Sequence, residues 1–306
     1  MKVLVATEKP FAAEAVNGIR AEIEGAGYEL ELLEKYTSKD ELLAAVADAD
    51  ALIIRSDKVT PEVIAAAPKL KIVVRAGAGY DNVDLEAATA RGIVVENTPG
   101  QNSNAVAELV FGMAVMAARN MLDGTSGSEL KGKKLGIHAF GQVGRNVARI
   151  AKGFDMEVSA LDPYCPDEAM NEAGVTPIHD IKELYSGNRY VSLHIPATAE
   201  TRGSVGYDLI TLLPKGGVLI NTARKEVIDE EGLKRALADR PDIKYVADVA
   251  PDCAAELKEE FGKRVLFTPK KMGAQTAEAN INAGIAAARQ VVAYLRDGID
   301  RFRVNK

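Results

Sequence analysis

The sequence predicts two α/β domains, each with a doubly wound parallel β-sheet covered by helices on both faces. Short β-rich segments alternate with helical patterns from one end of the 306-residue chain to the other. The expected strands are nearly continuously apolar, which is typical of parallel strands buried on both faces. A chain of this length also allows two packed cores more readily than one.

The expected elements form two series along the chain. The first has predicted strands over 2–6, 52–55, 72–76 and 93–96, and predicted helices over 12–25, 39–47, 62–67 and 85–91. The second has predicted strands over 134–138, 158–161, 191–194, 218–221, 245–248 and 265–268, with helices such as 144–154 and 230–239. Longer helices are expected over 105–119 and 276–296, and turn-forming residues at 98–100 favour a domain boundary.

Composition and charge limit the classes of partner. A formal net charge of -6 gives no overall basic field, which argues against nucleic acid and requires a local Arg and Lys cluster for any anionic ligand. Cys165 and Cys253 lack the spacing of a disulfide framework or metal site, so we expect reduced thiols and no metal. The apolar start of the chain is too short for a signal peptide, and no run is long enough for a bilayer. We therefore expect a cytoplasmic protein with no membrane partner.

A glycine-rich turn follows the expected strand at 134–138. It consists of Ala139, Phe140, Gly141, Gln142, Val143 and Gly144. A strand, a tight turn and a helix start form the setting of a dinucleotide-binding fingerprint, in which Gly141 admits the pyrophosphate and Gly144 lets the helix pack on the strand. The helix start offers free N–H groups to the phosphates. Ala139 stands where this fingerprint usually has its first glycine.

An aspartate downstream supports the same interpretation. Asp162 follows the next expected strand, where an acid accepts hydrogen bonds from the ribose hydroxyls and repels a 2′-phosphate. The residues after it, 163–166, contain no Arg or Lys, which favours NAD over NADP as the cofactor. A pair of helix-packing glycines with a surface aspartate is the structural alternative.

Together with further motifs, these residues make the chain resemble the D-2-hydroxyacid dehydrogenase family, and especially its short members that oxidise D-3-phosphoglycerate. The matching stretches include Arg75-Ala76-Gly77-Ala78-Gly79-Tyr80-Asp81, Asn97-Thr98-Pro99-Gly100, His194-Ile195-Pro196, Asn221-Thr222-Ala223-Arg224 and Ala247-Asp248-Val249. The resemblance implies a Rossmann-type NAD domain, 100–281, inserted in a flavodoxin-like substrate domain, 1–99 plus 282–306, with the active-site cleft between them. It implies a homodimer with helix 105–119 at the interface. The alternative for this helix is that it is simply buried in the core. The resemblance also implies that no C-terminal regulatory domain is present.

The resemblance also implies roles for individual residues. Arg224 would bind the carboxylate and carbonyl of a 2-oxo acid, as a planar guanidinium suits both tasks. Asp248 would accept a hydrogen bond from the nicotinamide carboxamide. Further cofactor contacts are expected from Pro163, His194, Ile195, Pro196, Thr201, Thr222 and Ala223. Substrate contacts are expected from Ser56, Ala76, Gly77, Ala78, Gly79 and Asn102.

Two residues of the family pattern are missing. Cys253 falls where a glutamate is expected, and none of the three histidines, His138, His179 and His194, follows Thr268-Pro269 where the acid–base histidine belongs. A lysine would perform the proton transfer instead. Counting from Thr268-Pro269 selects Lys270, whereas counting back from Gly273 selects Lys271, which we favour. The alternative is a protein that binds NAD or NADH without catalysis.

A cluster of cations suggests the substrate. Arg55 and Arg75 end predicted strands, where α/β sheets hold ligands. With Arg224 and one of the two lysines, they would neutralise a carboxylate and a phosphate, and Lys9 is a further candidate. The sequence therefore predicts NAD-linked oxidation of D-3-phosphoglycerate to 3-phosphohydroxypyruvate, a step of serine biosynthesis. A hydroxypyruvate or glyoxylate reductase of the same family is the alternative.

Overall fold

The computed structural model describes residues 1–305, in which twelve strands and twelve α-helices alternate. The strands are β1 (Lys2–Thr7), β2 (Glu29–Glu34), β3 (Ala51–Ile54), β4 (Ile72–Arg75), β5 (Val94–Asn97), β6 (Lys134–His138), β7 (Glu157–Leu161), β8 (Thr176–Pro177), β9 (Tyr190–Leu193), β10 (Val218–Asn221), β11 (Lys244–Ala247) and β12 (Val265–Phe267). The helices are α1 (Ala13–Gly25), α2 (Lys39–Val46), α3 (Pro61–Ala66), α4 (Leu85–Ala90), α5 (Ser103–Ala118), α6 (Gln142–Gly153), α7 (Asp167–Glu172), α8 (Ile181–Gly187), α9 (Tyr207–Ile210), α10 (Glu230–Asp239), α11 (Ala254–Phe261) and α12 (Ala277–Asp297).

Contacts divide the chain into two compact units. Unit 1 comprises Met1–Asn102 and the segment from Gln275 onward, and unit 2 comprises Ser103–Ala274. We expected the junctions at 99/100 and 281/282, so both are displaced. The second is displaced because α12 is one uninterrupted helix, capped by the Thr276 side chain on the N–H of Ala279, and packs along its length on α1. A junction inside this helix would separate residues that share one hydrogen-bonded element.

Unit 1 contains a five-stranded sheet of order β2-β1-β3-β4-β5, with every pair parallel. Alternate strand residues point to opposite faces. Val3 and Val5 join the core beneath α1 and α12, whereas Leu4 and Ala6 join the core beneath α2, α3 and α4. This is the flavodoxin-like strand order, and the carboxyl ends of β3 and β4 form the edge at which such sheets bind ligands.

Unit 2 contains a seven-stranded parallel sheet of order β12-β11-β10-β9-β6-β7-β8. Helices α5 and α6 cover one face, and α8, α10 and α11 cover the other. The chain runs outward from β6 through β7 to β8 and then returns to β9 on the other side of β6. The carboxyl ends of β6 and β9 therefore flank the point where the strand order reverses, as in a Rossmann fold. The predicted fold class, two doubly wound parallel sheets, is confirmed.

The helix expected over 105–119 is α5, and it lies wholly within unit 2. One face, which includes Ala107, Val110, Phe111 and Ala114, is buried in the core of that unit. Its other face has exposed Gly112 between half-buried neighbours. Within residues 1–305, no helix is both long and apolar enough to cross a membrane.

The elements that sequence reasoning missed are short or edge elements. Strand β2 reads Glu-Leu-Glu-Leu-Leu-Glu and lies at the edge of its sheet, half exposed. Strand β8 has two residues and α9 has four. Helices α7, α8 and α11 were also not predicted. Each is stabilised by packing on neighbouring elements more than by its own pattern, so sequence periodicity gives little signal for them.

Candidate active site

The glycine-rich turn joins β6 to α6 as the fingerprint predicts. Ala139 has a φ of 82°, in the left-handed region that favours glycine. A Cβ at Gly144 would overlap the carbonyl oxygen of Ala139, so only glycine lets α6 approach this closely. At Gly141, the residue preceding α6, a Cβ would meet nothing within 4 Å. The backbone before α6 is therefore open to a ligand at the helix start.

Asp162, at the end of β7, holds this turn in place. Its Oδ2 accepts from the N–H of Phe140 at 2.8 Å, and its Oδ1 accepts from the N–H of Tyr164 at 2.9 Å. Each carboxylate oxygen has a second lone pair, so hydroxyl donors can still bind it. Asp162 is half-buried and Pro163 after it is exposed. The carboxylate that we expected to bind a ribose thus also fixes the turn.

Arg145, on the first turns of α6, is a residue that sequence reasoning missed. Its Nη2 lies 3.2 Å from Sγ of Cys165, and its guanidinium carbon lies 4.9 Å from the centre of the Phe140 ring. A cation therefore contacts the loop after Asp162, although residues 163–166 contain none. Its only sequence signal is that it follows Gly144 directly.

Two half-buried histidines lie at the ends of β6 and β9. Burial lowers the pKa of His138 to about 4, and burial followed by the charge of His138 lowers the pKa of His194 to about 3. His194 Nε2 lies 2.9 Å from Oγ of Ser192, and His138 Nδ1 lies 3.3 Å from the Tyr185 hydroxyl. Both imidazoles are therefore neutral near pH 7.

The loop after β9 carries three of the expected cofactor residues. Ile195 is buried and Pro196 is exposed. The Thr201 hydroxyl donates to the carbonyl oxygen of Pro196 and accepts from the N–H of Thr198 at 2.8 Å. Thr201 thus closes the loop on itself.

The segment after β10 is organised by Asn221, which sequence analysis named only as part of a motif. Its Oδ1 accepts from the N–H of Ala223 at 3.0 Å, and its Nδ2 donates to the carbonyl oxygen of Arg224 at 2.9 Å. The Thr222 hydroxyl is buried and has no partner among the described residues. The Arg224 side chain is exposed, with Nη1 2.9 Å from the carbonyl oxygen of Ala223. An unsatisfied buried hydroxyl beside an exposed guanidinium fits a site that receives a polar ligand.

Asp248 anchors the loop that carries both candidate lysines. It is 1% exposed, and its Oδ1 accepts from the N–H of Met272 at 2.7 Å while its Oδ2 accepts from the N–H of Gly273 at 2.8 Å. The Thr268 hydroxyl also lies 3.0 Å from Oδ1. Lys270 and Lys271 are exposed on this loop. Asp248 therefore holds the backbone directly after the lysine pair and the Thr268 side chain before it.

A carboxylate does lie next to Cys253, where the family pattern has glutamate, but it comes from α10. Glu230 accepts from the N–H of Asp252 at 2.8 Å and from the N–H of Cys253 at 2.9 Å. Burial, with a contribution from Glu230, raises the pKa of the Cys253 thiol to about 12. The thiol is therefore protonated and cannot replace the missing carboxylate.

In unit 1, Arg55 and Arg75 lie together at the carboxyl ends of β3 and β4. Arg75 Nε donates to the carbonyl oxygen of Arg55 at 3.0 Å, and Arg55 Nη2 donates to Oδ1 of Asn280 at 2.7 Å. Burial and then the charge of Arg55 lower the pKa of Arg75. Neither guanidinium forms an ion pair with a carboxylate of residues 1–305. The charges of Asp57 and Asp81 act on Arg55 and Arg75 only from beyond ion-pair distance. Two half-buried cations without an ion-paired carboxylate favour an anionic ligand.

Other predicted substrate residues surround this pair. A Cβ at Gly77 would overlap Nη1 of Arg75, so glycine is required for the close approach. The Gly77 carbonyl oxygen accepts from the N–H of Thr98 at 3.0 Å, and the Ala78 carbonyl oxygen accepts from the Asn97 side chain at 2.7 Å. The Lys9 carbonyl oxygen accepts from Arg55 at 3.0 Å, while its side chain is exposed. Ser56, Ala76, Gly79 and Asn102 lie in the same unit, with Ser56 exposed and Ala76 buried.

The donors and acceptors of unit 2 suit a dinucleotide. The open backbone at Gly141, the free start of α6, the Asp162 carboxylate and the orphaned Thr222 hydroxyl offer contacts to phosphate, ribose and amide groups. Among the residues that the structure describes, no three His, Cys, Asp or Glu side chains are arranged to hold a metal ion.

Comparison with known proteins agrees with this arrangement. A model of the family described as D-isomer specific 2-hydroxyacid dehydrogenase, catalytic domain, matches residues 4–305. A D-3-phosphoglycerate dehydrogenase of Methanocaldococcus jannaschii is 38% identical over 290 residues, covering 88% of this chain and 54% of that protein. This chain therefore spans about half the length of that relative.

Two further relatives are of similar length to this chain. A hydroxypyruvate reductase of Thermotoga maritima is 34% identical over 281 residues, covering 86% of this chain and 90% of that protein. The crystal structure of a 3-phosphoglycerate dehydrogenase of Entamoeba histolytica with bound NAD+ is 48% identical, with a TM-score of 0.86. It covers 100% of this chain and 99% of that chain.

Proposed function

Because this chain belongs to the family of D-isomer specific 2-hydroxyacid dehydrogenases, we propose that it oxidises D-3-phosphoglycerate to 3-phosphohydroxypyruvate with NAD. The observation that carries this choice of substrate is the pair of half-buried guanidiniums, Arg55 and Arg75, which lack a carboxylate partner. A substrate with both a carboxylate and a phosphate needs more cations than a small 2-hydroxy acid. Relatives named as 3-phosphoglycerate dehydrogenases support the choice.

We assign the cofactor to unit 2. Bound NAD supplies the acceptor for the hydride that leaves C2 of the substrate. The start of α6 and the N–H groups around Gly141 would bind the pyrophosphate, and Asp162 would accept from the ribose hydroxyls. The Thr222 hydroxyl, which has no partner among residues 1–305, would donate to or accept from the cofactor or substrate.

A lysine would move the proton. When C2–H bond cleavage oxidises the alcohol, the O–H proton passes to the amine of Lys271, and in the reverse direction the ammonium returns it to the new alkoxide oxygen. Lys270 is the alternative. Asp248 supports either assignment because it accepts from the N–H groups of Met272 and Gly273 and so holds the lysine loop. Arg224 would bind the carboxylate and polarise the carbonyl.

The second candidate is reduction of hydroxypyruvate or a related unphosphorylated 2-oxo acid. It is favoured by the Thermotoga maritima relative, which matches this chain over nearly its whole length. A chain that binds NADH without turnover is a third outcome. The exposed Arg224 and the anchored lysine loop favour catalysis over binding alone.

The deciding experiment is to follow NADH consumption with 3-phosphohydroxypyruvate, hydroxypyruvate and glyoxylate in parallel. Charge-assisted hydrogen bonds to the phosphate are each worth about 1.5–3 kcal/mol. The kcat/KM for 3-phosphohydroxypyruvate should therefore exceed the kcat/KM for hydroxypyruvate by about tenfold or more. Equal values would overturn the phosphate assignment. Tight NADH binding with no turnover on any of the three would favour the binding protein.

We also propose a homodimer formed through unit 2. Besides the family resemblance, support comes from the outer face of α5, where exposed Gly112 lies between half-buried Leu109 and Met116. Such a surface would be covered by a second copy. Light scattering coupled to size exclusion should give twice the mass of the chain, and a monomer at micromolar concentration would contradict the proposal.

A further inference from the structure

A polar cavity of about 300 Å³ lies in unit 2 where β9, β10 and β11 begin, at the edge of the sheet opposite the candidate active-site residues. Its lining includes Arg189, Tyr190, Asp242, Lys244, Ser126 and Ser128. None of these residues takes part in the proposed dehydrogenase chemistry. The volume lies at the lower end of the range for pockets that hold small molecules.

Two cations line this cavity without an anionic partner. Arg189 Nε donates to the carbonyl oxygen of Gly216 at 3.2 Å, and Lys244 Nζ donates to the carbonyl oxygen of Ala117 at 2.6 Å. Neither forms an ion pair with a carboxylate in the part of the chain that the structure describes. Burial and the charge of Arg189 lower the pKa of Lys244. Two like charges that line one partly buried cavity favour an anion.

The one carboxylate in the lining is already neutralised. Asp242 Oδ1 accepts from Arg240 Nε at 2.9 Å, and its Oδ2 accepts from Arg240 Nη2 and from the N–H of Gly216, both at 2.9 Å. This bidentate ion pair with Arg240 lowers the pKa of Asp242 and occupies both of its carboxylate oxygens. Asp123, whose charge raises the pKa of Lys244, is itself paired with Lys263 at 3.0 Å. The positive charges of Arg189 and Lys244 therefore remain in excess.

A buried hydroxyl adds a neutral donor. Tyr190 is 1% exposed, and within residues 1–305 its hydroxyl has only the Ser128 side chain beside it as a hydrogen-bonding group. Burial raises the pKa of this hydroxyl, so it carries its proton. A buried hydroxyl with a single serine beside it has hydrogen-bonding capacity left for a ligand or water.

A strained turn follows α5, and its first residue, Asn120, lines the cavity. Asn120, Met121 and Leu122 have φ of 51°, 56° and 58°, and none is glycine. Such backbone costs about 1–3 kcal/mol per residue and persists only where the surroundings fix it. The carbonyl oxygens of Ala117 and Ala118, at the end of α5, accept from Lys244 Nζ and from the N–H of Ser128 at 2.8 Å, so neither is left bare to repel an anion.

We propose that this cavity is an oxyanion site that binds a phosphate group, separate from the Arg55 and Arg75 pair. Arg189 and Lys244 supply the charge, and the Tyr190, Ser126 and Ser128 hydroxyls supply neutral donors. The phosphate belongs either to the free ion or to a small phosphate ester, since both present the same oxygens. The site does not depend on the proposed dehydrogenase activity.

The test counts bound phosphate by equilibrium dialysis of the full chain against labelled inorganic phosphate at constant ionic strength. The variants are Arg189→Gln and Tyr190→Phe, both of which leave the Lys244 contact with α5 intact. Lys131→Gln is the matched control, because it removes one positive charge from the same unit at a side chain that is 72% exposed. Melting temperatures verify that each variant is folded.

We expect Arg189→Gln to lose one bound phosphate and Tyr190→Phe to weaken that site about tenfold or more, with Lys131→Gln unchanged. If Arg189→Gln does not fold, the isosteric Tyr190→Phe decides alone. Displacement of the label by glycerol phosphate at lower concentration than by phosphate identifies an ester as the occupant, and the reverse identifies the free ion. Equal stoichiometry and affinity in all folded variants would overturn the proposal.

Discussion

Replacing Asp248 by Asn probes the anchor of the lysine loop. The carboxylate accepts from the half-buried N–H of Met272 at 2.7 Å and from the buried N–H of Gly273 at 2.8 Å, through different oxygens. An amide of the same shape keeps one acceptor and presents an NH2 group to the other N–H, so one buried donor loses its partner. Loss of a charge-assisted hydrogen bond and the desolvation of an unpaired donor predict a decrease of about 2–4 kcal/mol in the free energy of unfolding.

Urea unfolding followed by circular dichroism measures this change, and NADH turnover measures its effect on the loop. A displacement of the lysine by about 1 Å would lower kcat by about 100-fold. The control is Asp252→Asn, which removes the same charge at a side chain that is 80% exposed and should alter stability by less than about 1 kcal/mol. Equal stability of Asp248→Asn and the unsubstituted chain would refute the argument that Asp248 anchors this loop.

Three further predictions follow from single features. Ala139→Gly should raise the free energy of unfolding by about 0.5 kcal/mol, because relief of the left-handed φ of 82° exceeds the entropic cost of glycine. A lower free energy of unfolding in urea for this variant would contradict the prediction. The pKa values of His138 and His194, about 4 and about 3, lie below the 6.5 of an exposed histidine, so the unfolded state binds these protons first. The free energy of unfolding should therefore fall as the pH decreases from about 6.5 to about 4. In His138→Gln, the free energy of unfolding measured in urea should depend less on pH in that window, and an unchanged dependence would contradict the prediction. Gly77→Ala should raise KM for the 2-oxo acid about tenfold or more by displacing the Arg75 guanidinium, with the Kd of NADH unchanged, whereas equal KM values would show that the guanidinium is not needed there.

The fold could be predicted where the sequence pattern and the burial coincide. Strands β6 and β10 begin and end where expected, because they are apolar runs buried on both faces. Strand β2 was missed because its alternating Glu and Leu at a sheet edge produce neither a buried strand pattern nor a turn signal. The second domain junction was displaced because the cap of α12, Thr276, lies five residues before the boundary that the family resemblance implied.

The candidate site was predictable where its parts are local in sequence. The turn from Ala139 to Gly144 and the aspartate after β7 carry their own signal. The contacts of Arg145 with Cys165 and of Glu230 with Cys253 join segments 20 and 23 residues apart, and no local pattern encodes them. Asp248 was expected as a cofactor contact, and its hold on the lysine loop became visible only in three dimensions.

The most direct test of the central proposal is the turnover of Lys271→Ala, compared with Lys270→Ala, in NADH consumption with 3-phosphohydroxypyruvate. Both lysines lie on the same exposed loop and carry the same charge, so each variant serves as the control for the other. We predict that Lys271→Ala lowers kcat by at least about 100-fold while the Kd of NADH, measured by fluorescence, is unchanged. An active Lys271→Ala beside an inactive Lys270→Ala would reverse the assignment, and full activity in both would contradict proton transfer by a lysine of this loop.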